Sequence, residues 1–328
     1  MKKYTLKKSI FQKEPEKTSR QFQVDYRNEL NPAQYEAVTS VNGPHLIIAG
    51  AGTGKTRTIV FRVSYLVELG VRPESILLLT FTRKAAQEML RRATSILDSR
   101  CEKVAGGTFH SFANMILRRY AQLIGFDSAF TILDQSDAED VVNLLRTQMK
   151  LDTRKRRFPK KQLLFTLFSR SVNTQETIKE ILTEDYPQYV KELGTIEKLH
   201  SSYTEYKRQY NLMDYDDLLV HLKTLLEKNE KVRHELSGKY KYIMVDEYQD
   251  TNRIQADIAD LLASKHRNLM VVGDDSQSIY SFRGATIRNI LEFPDQYKDC
   301  KVITLEKNYR STQPILNVAN EILKGGRE

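Results

Sequence analysis

A glycine-rich segment that ends in a lysine and a threonine is the clearest candidate for chemistry in this sequence. Residues 49–56 read AGAGTGKT, after an apolar run and before an amphipathic one. Glycines let successive backbone N–H groups converge on a phosphate, and the start of a helix adds a favourable dipole. In such a P-loop, Lys55 reaches the β- and γ-phosphates of ATP, and the Thr56 hydroxyl binds Mg²⁺. The residues predicted to hold the phosphates are Gly50, Gly52, Thr53, Gly54, Lys55 and Thr56.

One departure from the generic P-loop pattern is Ala49, which stands where the first glycine would be. The alternative interpretation is a glycine-rich turn with a chance lysine. The flanking strand and helix patterns favour phosphate binding, because a P-loop requires that context.

An acidic pair after another apolar run supplies the second half of a nucleotide-hydrolysing site. Tyr242–Val245 is followed at once by Asp246 and Glu247. Asp246 is predicted to hold Mg²⁺ directly or through water, and Glu247 to polarise the water that attacks the γ-phosphate. The alternative is an acidic pair in the first turn of a helix, where such residues are favoured. Together, in this order, the two segments predict ATP hydrolysis.

These segments lie among short apolar runs that predict a parallel β-sheet. Runs rich in Ile, Val and Leu without alternation are typical of strands buried on both faces of a sheet. Longer amphipathic stretches lie between the runs, and this alternation of strands and helices predicts a doubly wound α/β domain. The predicted strands are His45–Ala49, Ile76–Thr80, Tyr242–Val245, Leu269–Val272 and Val302–Leu305.

The pattern changes between about residues 111 and 212, where helical periods dominate and no clear strand is predicted. Ser136 and Glu139 have the spacing of a capping box, and Asn173 and Glu176 repeat it more weakly. We therefore predict an all-helical insertion within a discontinuous α/β domain.

Composition sets the broad class of the protein. The 328 residues carry a net charge of +9 and are 40% hydrophobic and 28% charged, which is ordinary for a soluble globular protein. The positive charge suits a polyanionic partner without establishing one. Cys101 and Cys300 are too few and too distant to indicate a disulfide framework or a zinc site. This use of cysteine fits a reducing, cytoplasmic setting best. No apolar stretch reaches the length of a membrane span, and the basic N-terminus lacks a secretory core, so we predict no membrane partner.

Segments along most of the chain resemble, in the same order, the motifs of the UvrD/Rep group of superfamily 1 DNA helicases. They are NPAQ (31–34), TFTRKAA (80–86), GTFHSF (107–112), DYDDLL (214–219), VDEYQDTN (245–252), VGDDSQSIYSFRGA (272–285) and LEKNYRST (305–312). DYDDLL is similar to a recurrent segment of the group, and the others resemble the Q motif and motifs Ia, Ib, II, III and IV. The resemblance runs from about residue 29 to 314. The joint match is highly specific.

The resemblance implies roles for residues beyond the phosphate loop. It assigns catalysis to Glu247, Gln277, Arg283 and Arg310, and adenine binding to Gln34, Arg57 and Tyr309. Gln34 would read the adenine edge with its amide donor and acceptor, while Arg57 and Tyr309 would pack against the ring. Gln277 would couple the γ-phosphate to the DNA site, and the two arginines would neutralise charge on the transferred phosphoryl group.

The resemblance also implies a track for single-stranded DNA across the α/β domain. The residues assigned to it are Phe81, Thr82, Thr108, His110, Tyr280 and Phe282. Exposed aromatic rings stack on bases without sequence preference, although the alternative for Phe81 and Phe109 is a place in the core. Phe282 stands where several relatives carry Trp and offers a smaller stacking face. The expected partners are single-stranded DNA and single-strand/duplex junctions, bound without sequence specificity.

By this resemblance, the helical insertion would correspond to the family's subdomain 1B. Basic residues are dense around Pro159, namely Lys150, Arg154, Lys155, Arg156, Arg157, Lys160 and Lys161. Such a stretch can pair with duplex phosphates, giving binding that weakens with salt. The alternative is a solvated loop, which is the usual place of a charge run.

The resemblance thus implies a RecA-like P-loop NTPase domain interrupted by the insertion. The predicted parts are a polar extension (1–25), the ATP-binding domain (26–112 and 213–300), the insertion (113–212) and the start of a second RecA-like domain (301–328). No segment matches the family's motifs V and VI. We therefore expect this chain by itself to bind nucleotide and DNA weakly, with little ATPase activity, unless the other motor half is present in cis or in trans.

The implied function is ATP-driven movement on single-stranded DNA, 3′–5′ by resemblance, with duplex unwinding and with ATP and Mg²⁺ as cofactors. One alternative is a naturally short ATP-gated DNA-binding or adaptor module without motor activity. A P-loop small-molecule kinase is a third, but it leaves the series of motifs II, III and IV unexplained.

Overall fold

The computed structural model describes residues 22–151, 158–278 and 284–325. The predicted extension at residues 1–25 lies almost entirely outside these ranges. The strands are β1 (His45–Ala49), β2 (Ile76–Thr80), β3 (Ala105–Thr108), β4 (Thr131–Ile132), β5 (Leu212–Met213), β6 (Tyr242–Val245), β7 (Leu269–Gly273) and β8 (Lys301–Leu305). The helices are α1 (Tyr26–Glu29), α2 (Pro32–Thr39), α3 (Lys55–Glu68), α4 (Arg83–Ile96), α5 (Phe109–Tyr120), α6 (Gln135–Gln148), α7 (Lys161–Thr174), α8 (Ile178–Asp185), α9 (Leu193–Gln209), α10 (Tyr215–Lys228), α11 (Glu230–Lys239), α12 (Arg253–Ala263), α13 (Arg288–Leu291), α14 (Phe293–Gln296) and α15 (Gln313–Gly325).

A parallel sheet forms the centre of the molecule. Within the described ranges its strand order is β3-β2-β6-β7-β1-β8, and every neighbouring pair is parallel. His45 in β1 is paired with Met270 in β7 on one side and with Lys301 in β8 on the other. The predicted α/β class with a parallel sheet is confirmed. Because the carboxyl ends of parallel strands share one edge, the loops after β1, β2, β6 and β7 all open on the same side.

Helices cover both faces of this sheet. In β2, Leu77 and Leu79 pack into one apolar cluster, whereas Ile76 and Leu78 pack into another, because successive side chains point to opposite faces. The first cluster also contains α5, α10 and α12, and the second contains α3 and α4. All of β2 is buried, which is why this run shows no alternation of apolar and polar residues.

Strand β3 is absent from the sequence prediction because its residues, AGGT, form no apolar run. It pairs with β2 at the edge of the sheet. The glycines serve close packing, since a Cβ on Gly106 would lie 2.9 Å from Leu90 Cδ1 and one on Gly107 would lie 2.6 Å from Ser111 Oγ.

Helices α6 to α9 surround an apolar cluster of their own, separate from those of the sheet. Their caps differ from the predicted ones. Asp134, rather than Ser136, caps α6, and the capping box at the start of α8 joins Thr177 and Glu180. Asn173 lies inside α7 and caps nothing.

The predicted boundary of the insertion at residue 113 falls inside α5, which lies on the sheet. Phe112, Ala113 and Ile116 of this helix belong to the same apolar cluster as α10. The two-residue strands β4 and β5 pair in parallel beside the insertion, so the part between α5 and α10 is not helical throughout. Of the described helices, none has the length and apolar character needed to cross a lipid bilayer.

The strand at the end of the sheet corrects one boundary. Residues 301–328 were predicted to begin a second RecA-like domain, yet Lys301–Leu305 pairs with β1 throughout its length. Ile303 and Leu305 pack in the same cluster as α3. This strand therefore belongs to the first sheet. It lies beside β1, and its apolar residues pack with those of β1 in the cluster that α3 covers.

Candidate active site

The glycine-rich loop joins β1 to α3 at the carboxyl edge of the sheet. Gly52 and Gly54 have φ angles of 81° and 93°, a left-handed region that side chains rarely adopt. A Cβ on Gly54 would lie 2.6 Å from Gln34 Nε2, and one on Gly52 would lie 2.7 Å from the Cβ of Arg310. Glycine is therefore required at both positions for conformation and for space.

The Q-motif helix holds this loop from one side. Asn31 and Gln34 form a capping box at the start of α2. Gln34 is buried and donates from Nε2 to the carbonyl oxygen of Thr53 at 3.0 Å, while its Oε1 accepts from the Asn31 backbone at 3.3 Å. The structure thus places Gln34 against the phosphate loop with both amide ends engaged. Adenine recognition by this residue stays a prediction.

The segment after β8 lies on the other side of the loop. The Tyr309 backbone N–H donates to the Gly52 carbonyl at 2.9 Å, and Asn308 Nδ2 donates to the Ala51 carbonyl at 2.6 Å. Asn31 also donates to the Tyr309 hydroxyl at 2.9 Å. Tyr309 and Arg310 are exposed beside the loop, and contact of either residue with nucleotide stays a prediction.

Arg57 is engaged away from the expected adenine position. Its guanidinium donates to the Glu29 carbonyl at 2.8 Å and to Glu29 Oε2 at 2.6 Å. The same group lies 4.6 Å from the centre of the Phe61 ring. Packing of Arg57 on adenine would require it to leave Glu29, so this assignment also stays a prediction.

The acidic pair stands at the end of β6, at the same edge of the sheet. Asp246 is buried, and its Oδ1 has no hydrogen-bond partner among the described residues. Burial, and then the neighbouring Glu247 carboxylate, raise the pKa of Asp246 to about 7. Glu247 has a left-handed backbone with φ 50° and lies 3.1 Å from Lys55, measured from Oε2 to Nζ.

This arrangement fits Mg²⁺ bound with a nucleotide. A buried carboxylate oxygen without a donor gains from a nearby cation, and oxygen ligands are the ones that Mg²⁺ prefers. Asp246 would supply such an oxygen, and Thr56 at the start of α3 would supply a hydroxyl. Lys55 Nζ is also buried and makes no hydrogen bond within the described ranges, so it has donors left for phosphate oxygens.

The turn after β7 carries the predicted Gln277. Its amide donates to Asp274 Oδ2, and Asp274 caps the short turn at residues 275–277. Gln249, which was not predicted, joins this turn to the acidic pair through a 3.0 Å bond from the Asp274 backbone and a 2.8 Å bond to Glu247. Gln249 lies within the quoted VDEYQDTN segment, but its spacing alone gives no sign of this role. Arg283 lies outside the described residues.

A cleft of about 660 Å³ adjoins the acidic pair and contains several of the predicted DNA residues. Phe81, Thr108 and His110 line it together with Asp246 and Glu247. A place in the core was the alternative for both Phe81 and Phe109. Phe109 is in the core, whereas Phe81 is 40% exposed. Thr82 and Thr108 cap α4 and α5 by accepting from backbone N–H groups. Tyr280, Phe282 and the basic residues 154–157 lie outside the described ranges.

A polar bridge at this cleft links the insertion to the sheet domain. Asn173 of α7 donates to Asp216 at 2.8 Å and accepts from Asn252 at 2.7 Å. Asn289 then donates to the carbonyl oxygens of Thr251 and Asn252. The DYDDLL segment therefore contacts motif II through α7.

Comparison with known proteins settles the family. Residues 30–298 match the family profile described as UvrD/REP helicase N-terminal domain. The chain belongs to the UvrD/REP helicase family. Its parallel sheet is accordingly that of an α/β RecA-like domain.

Two curated relatives of the UvrD/REP family show the extent of the similarity. The chain is 40% identical over 305 residues to ATP-dependent DNA helicase PcrA of Staphylococcus aureus strain Mu50, and 40% identical over 303 residues to the protein of the same name from Staphylococcus epidermidis strain RP62A. The alignments cover 92% and 91% of this chain, and 40% of each relative. The chain therefore spans about two fifths of the length of these relatives.

Proposed function

We propose that this chain binds Mg²⁺-ATP and couples its hydrolysis to movement on single-stranded DNA. The observation that carries the proposal is that two buried atoms at one edge of the sheet, Asp246 Oδ1 and Lys55 Nζ, make no hydrogen bond within the described residues, although Lys55 Nζ lies 3.1 Å from Glu247 Oε2. Buried polar groups are normally satisfied, so two such atoms of opposite charge at a glycine-rich loop indicate a charged ligand. A nucleotide with its cation provides partners for both.

Binding follows from the loop and its flanking residues. Backbone N–H groups of the loop and the N-terminus of α3 attract the phosphates, and Lys55 adds a full positive charge. Thr56 and Asp246 would hold Mg²⁺, which neutralises charge on the phosphate oxygens. Gln34, Arg57 and Tyr309 are proposed to contact the adenine.

Hydrolysis needs a base for the attacking water. Glu247 is proposed to accept a proton from that water while the water oxygen bonds to the γ-phosphorus. ADP leaves with the electron pair of the bond that breaks between the γ-phosphorus and the oxygen bridging it to the β-phosphate. Lys55 would leave its 3.1 Å contact with Glu247 for the phosphates, which frees the carboxylate. Arg310, Arg283 and Gln277 are proposed to stabilise the charge on the transferred group.

The cleft beside the acidic pair is the proposed path of DNA. Phe81 and His110 offer rings for stacking, and the helix starts capped by Thr82 and Thr108 offer backbone N–H groups for phosphates. Because the cleft touches both Asp246 and Glu247, DNA in it would lie next to the hydrolytic site. The names of the relatives, ATP-dependent DNA helicase, accord with this proposal, and the family resemblance gives the polarity 3′–5′.

We expect slow turnover from this chain by itself. Tyr309 and Arg310 are exposed, and charge stabilisation is weak where water reaches the site. Binding of Mg²⁺-ATP is therefore the more sensitive measurement, followed by hydrolysis with enzyme in excess over ATP.

The test compares wild type with Lys55→Met and Glu247→Gln, with and without oligo-dT. We expect Mg²⁺-ATP binding that Lys55→Met weakens by roughly 100-fold, and slow hydrolysis that DNA stimulates and Glu247→Gln removes without loss of binding. Wild-type nucleotide affinity in Lys55→Met would overturn the proposed site. Binding without any hydrolysis would favour the ATP-gated adaptor over the motor.

A further inference from the structure

Gln249 is the most deeply enclosed polar side chain next to the acidic pair. It lies in the short turn after β6, is 1% exposed, and uses both ends of its amide. Nε2 donates to Glu247 Oε2 at 2.8 Å, and Oε1 accepts from the Asp274 backbone N–H at 3.0 Å. A longer contact of 3.5 Å joins Nε2 to Asp250 Oδ2.

The surroundings allow only one orientation of this amide. If the nitrogen and oxygen changed places, Oε1 would face the Glu247 carboxylate and Nε2 would face a backbone N–H, and both contacts would be repulsive. The packing is equally specific, because a Cβ on Gly273 would lie 2.8 Å from Gln249 Oε1. The amide of Gln249 thus donates to the Glu247 carboxylate on one side and accepts from the Asp274 N–H on the other. Gly273, which precedes Asp274, leaves the space that the amide oxygen needs.

This geometry joins three segments that the proposed function uses. Glu247 stands in a left-handed backbone conformation and shares its Oε2 between Lys55 and Gln249. When Lys55 turns to a phosphate, Gln249 is the remaining donor to Glu247 among the described residues. On its other side it fixes Asp274, which accepts from Gln277.

We propose that Gln249 is a positioning residue that holds the Glu247 carboxylate in place and ties it to the Gly273–Asp274 turn. Gln249 acts through these two partners and does not itself contact nucleotide. Displacement of the turn that carries Gln277 would then displace the base as well. This inference rests on the proposed hydrolytic role of Glu247.

Two variants separate the two bonds of the amide. Gln249→Glu keeps an oxygen for the Asp274 N–H but replaces the donor to Glu247 with a like charge. Gln249→Met has a similar length and keeps neither bond. Gln313→Met is the control, because Gln313 is an exposed glutamine on α15 that bonds only within its helix, to Asn317, in the hydrogen bonds that the structure gives it.

The first measurement is ATP hydrolysis with enzyme in excess and oligo-dT present, over a range of ATP concentrations. We expect Gln249→Met and Gln249→Glu to lower the maximal rate by roughly tenfold or more, with the half-saturating ATP concentration within about threefold of wild type. Gln313→Met should match wild type. A wild-type maximal rate in either Gln249 variant would overturn the proposal.

The second measurement needs no turnover. Hydrogen exchange of the Asp274 amide, followed by NMR in the full chain, should be at least about tenfold faster in Gln249→Met and nearly unchanged in Gln249→Glu. Equal protection in wild type and Gln249→Met would overturn the proposal even if the wild type does not hydrolyse ATP. Absence of wild-type hydrolysis with the expected exchange pattern would instead overturn the hydrolytic function while retaining the link between Gln249 and Asp274.

Discussion

Lys207 and Lys55 are both buried lysines that form ion pairs with carboxylates, but their surroundings differ. Lys207, at the junction of the insertion and α10, lies 2.5 Å from Asp214 and 2.6 Å from Asp217. Although burial acts to lower the pKa of Lys207, the two carboxylates together raise it. Tyr203 completes this cluster with a 2.8 Å bond to Asp214. Each side chain of this cluster therefore has a partner of opposite charge or a hydrogen-bond partner.

In the cluster at the phosphate loop, formed by Lys55, Asp246 and Glu247, not every polar atom has a hydrogen-bond partner among the described residues. Lys55 has one carboxylate at 3.1 Å without hydrogen-bond geometry, and Asp246 Oδ1 has no donor in the described part of the chain. A buried ion pair that is fully bonded fixes structure, whereas one with free donors and acceptors retains the capacity to bind a ligand. We therefore expect a structural role for the Lys207 cluster and a ligand-binding role for the cluster at the phosphate loop.

The strongest test of this comparison is Lys207→Met. Because Asp214 and Asp217 would stay buried without a cation, we expect the free energy of unfolding to fall by about 3–5 kcal/mol. Urea denaturation measures the loss. Lys223→Met is the matched control, since Lys223 pairs with Asp257 at 2.7 Å but is a quarter exposed, and should lose less than about 1 kcal/mol. Equal losses in the two variants would contradict the structural role of Lys207.

Lys55→Met should show the opposite pattern. We expect Mg²⁺-ATP affinity to fall by roughly 100-fold, about 3 kcal/mol, because the variant loses the charge that meets the phosphates. Glu247 is 36% exposed, so loss of its ion pair should change the free energy of unfolding by less than about 1 kcal/mol. Titration with a fluorescent ATP analogue and urea denaturation check the two parts. A stability loss as large as that of Lys207→Met would remove the contrast.

Asp246→Asn tests how much the buried Asp246 carboxylate lowers the free energy of unfolding, and how this effect depends on pH. With its pKa raised from 3.8 to about 7 in the folded chain, Asp246 keeps a proton that the unfolded chain releases from about pH 4 upward. Its contribution to stability therefore falls as the pH rises from about 4 to 7. The Asn variant lacks this titration and should gain about 4 kcal/mol over wild type by pH 8, with little difference at pH 4.

Urea denaturation of both proteins between pH 4 and pH 8 gives this difference directly. A difference that does not change with pH would show that the Asp246 carboxyl is not perturbed in the folded chain. Saturating Mg²⁺-ATP should reverse the order of the two proteins, because only wild type offers the metal a charged carboxylate, whereas Asn offers a neutral amide oxygen, which binds a divalent cation more weakly.

Glu29→Gln extends the comparison of ion pairs to one that is exposed to solvent. The Arg57–Glu29 pair is short at 2.6 Å, but its side chains are 45% and 54% exposed. We expect the free energy of unfolding to change by less than about 1 kcal/mol. Mg²⁺-ATP affinity should stay equal or rise slightly, since Arg57 becomes free to reach the adenine. A large loss of stability would show that exposure does not distinguish these ion pairs.

Much of the fold was predictable from short-range patterns. The strands next to the phosphate loop and the acidic pair were found because a strand buried on both faces needs an unbroken apolar run. Strand β3 was missed because Ala105–Thr108 supplies space for α4 and α5 rather than apolar surface. The caps at Asp134 and Thr177 were missed because several polar residues stand near each helix start, and packing selects among them.

The sequence by itself determined which residues could hold a nucleotide, because a glycine loop, a lysine and an acidic pair are matched to phosphate and Mg²⁺ by chemical type. Only the tertiary structure decided which of their atoms make no hydrogen bond in the described residues, that Gln34 bonds to the loop and Gln249 to Glu247, and that Lys301–Leu305 belongs to the first sheet. The physical reason is that desolvation and hydrogen-bond satisfaction depend on every group packed around an atom, and those groups come from distant parts of the chain.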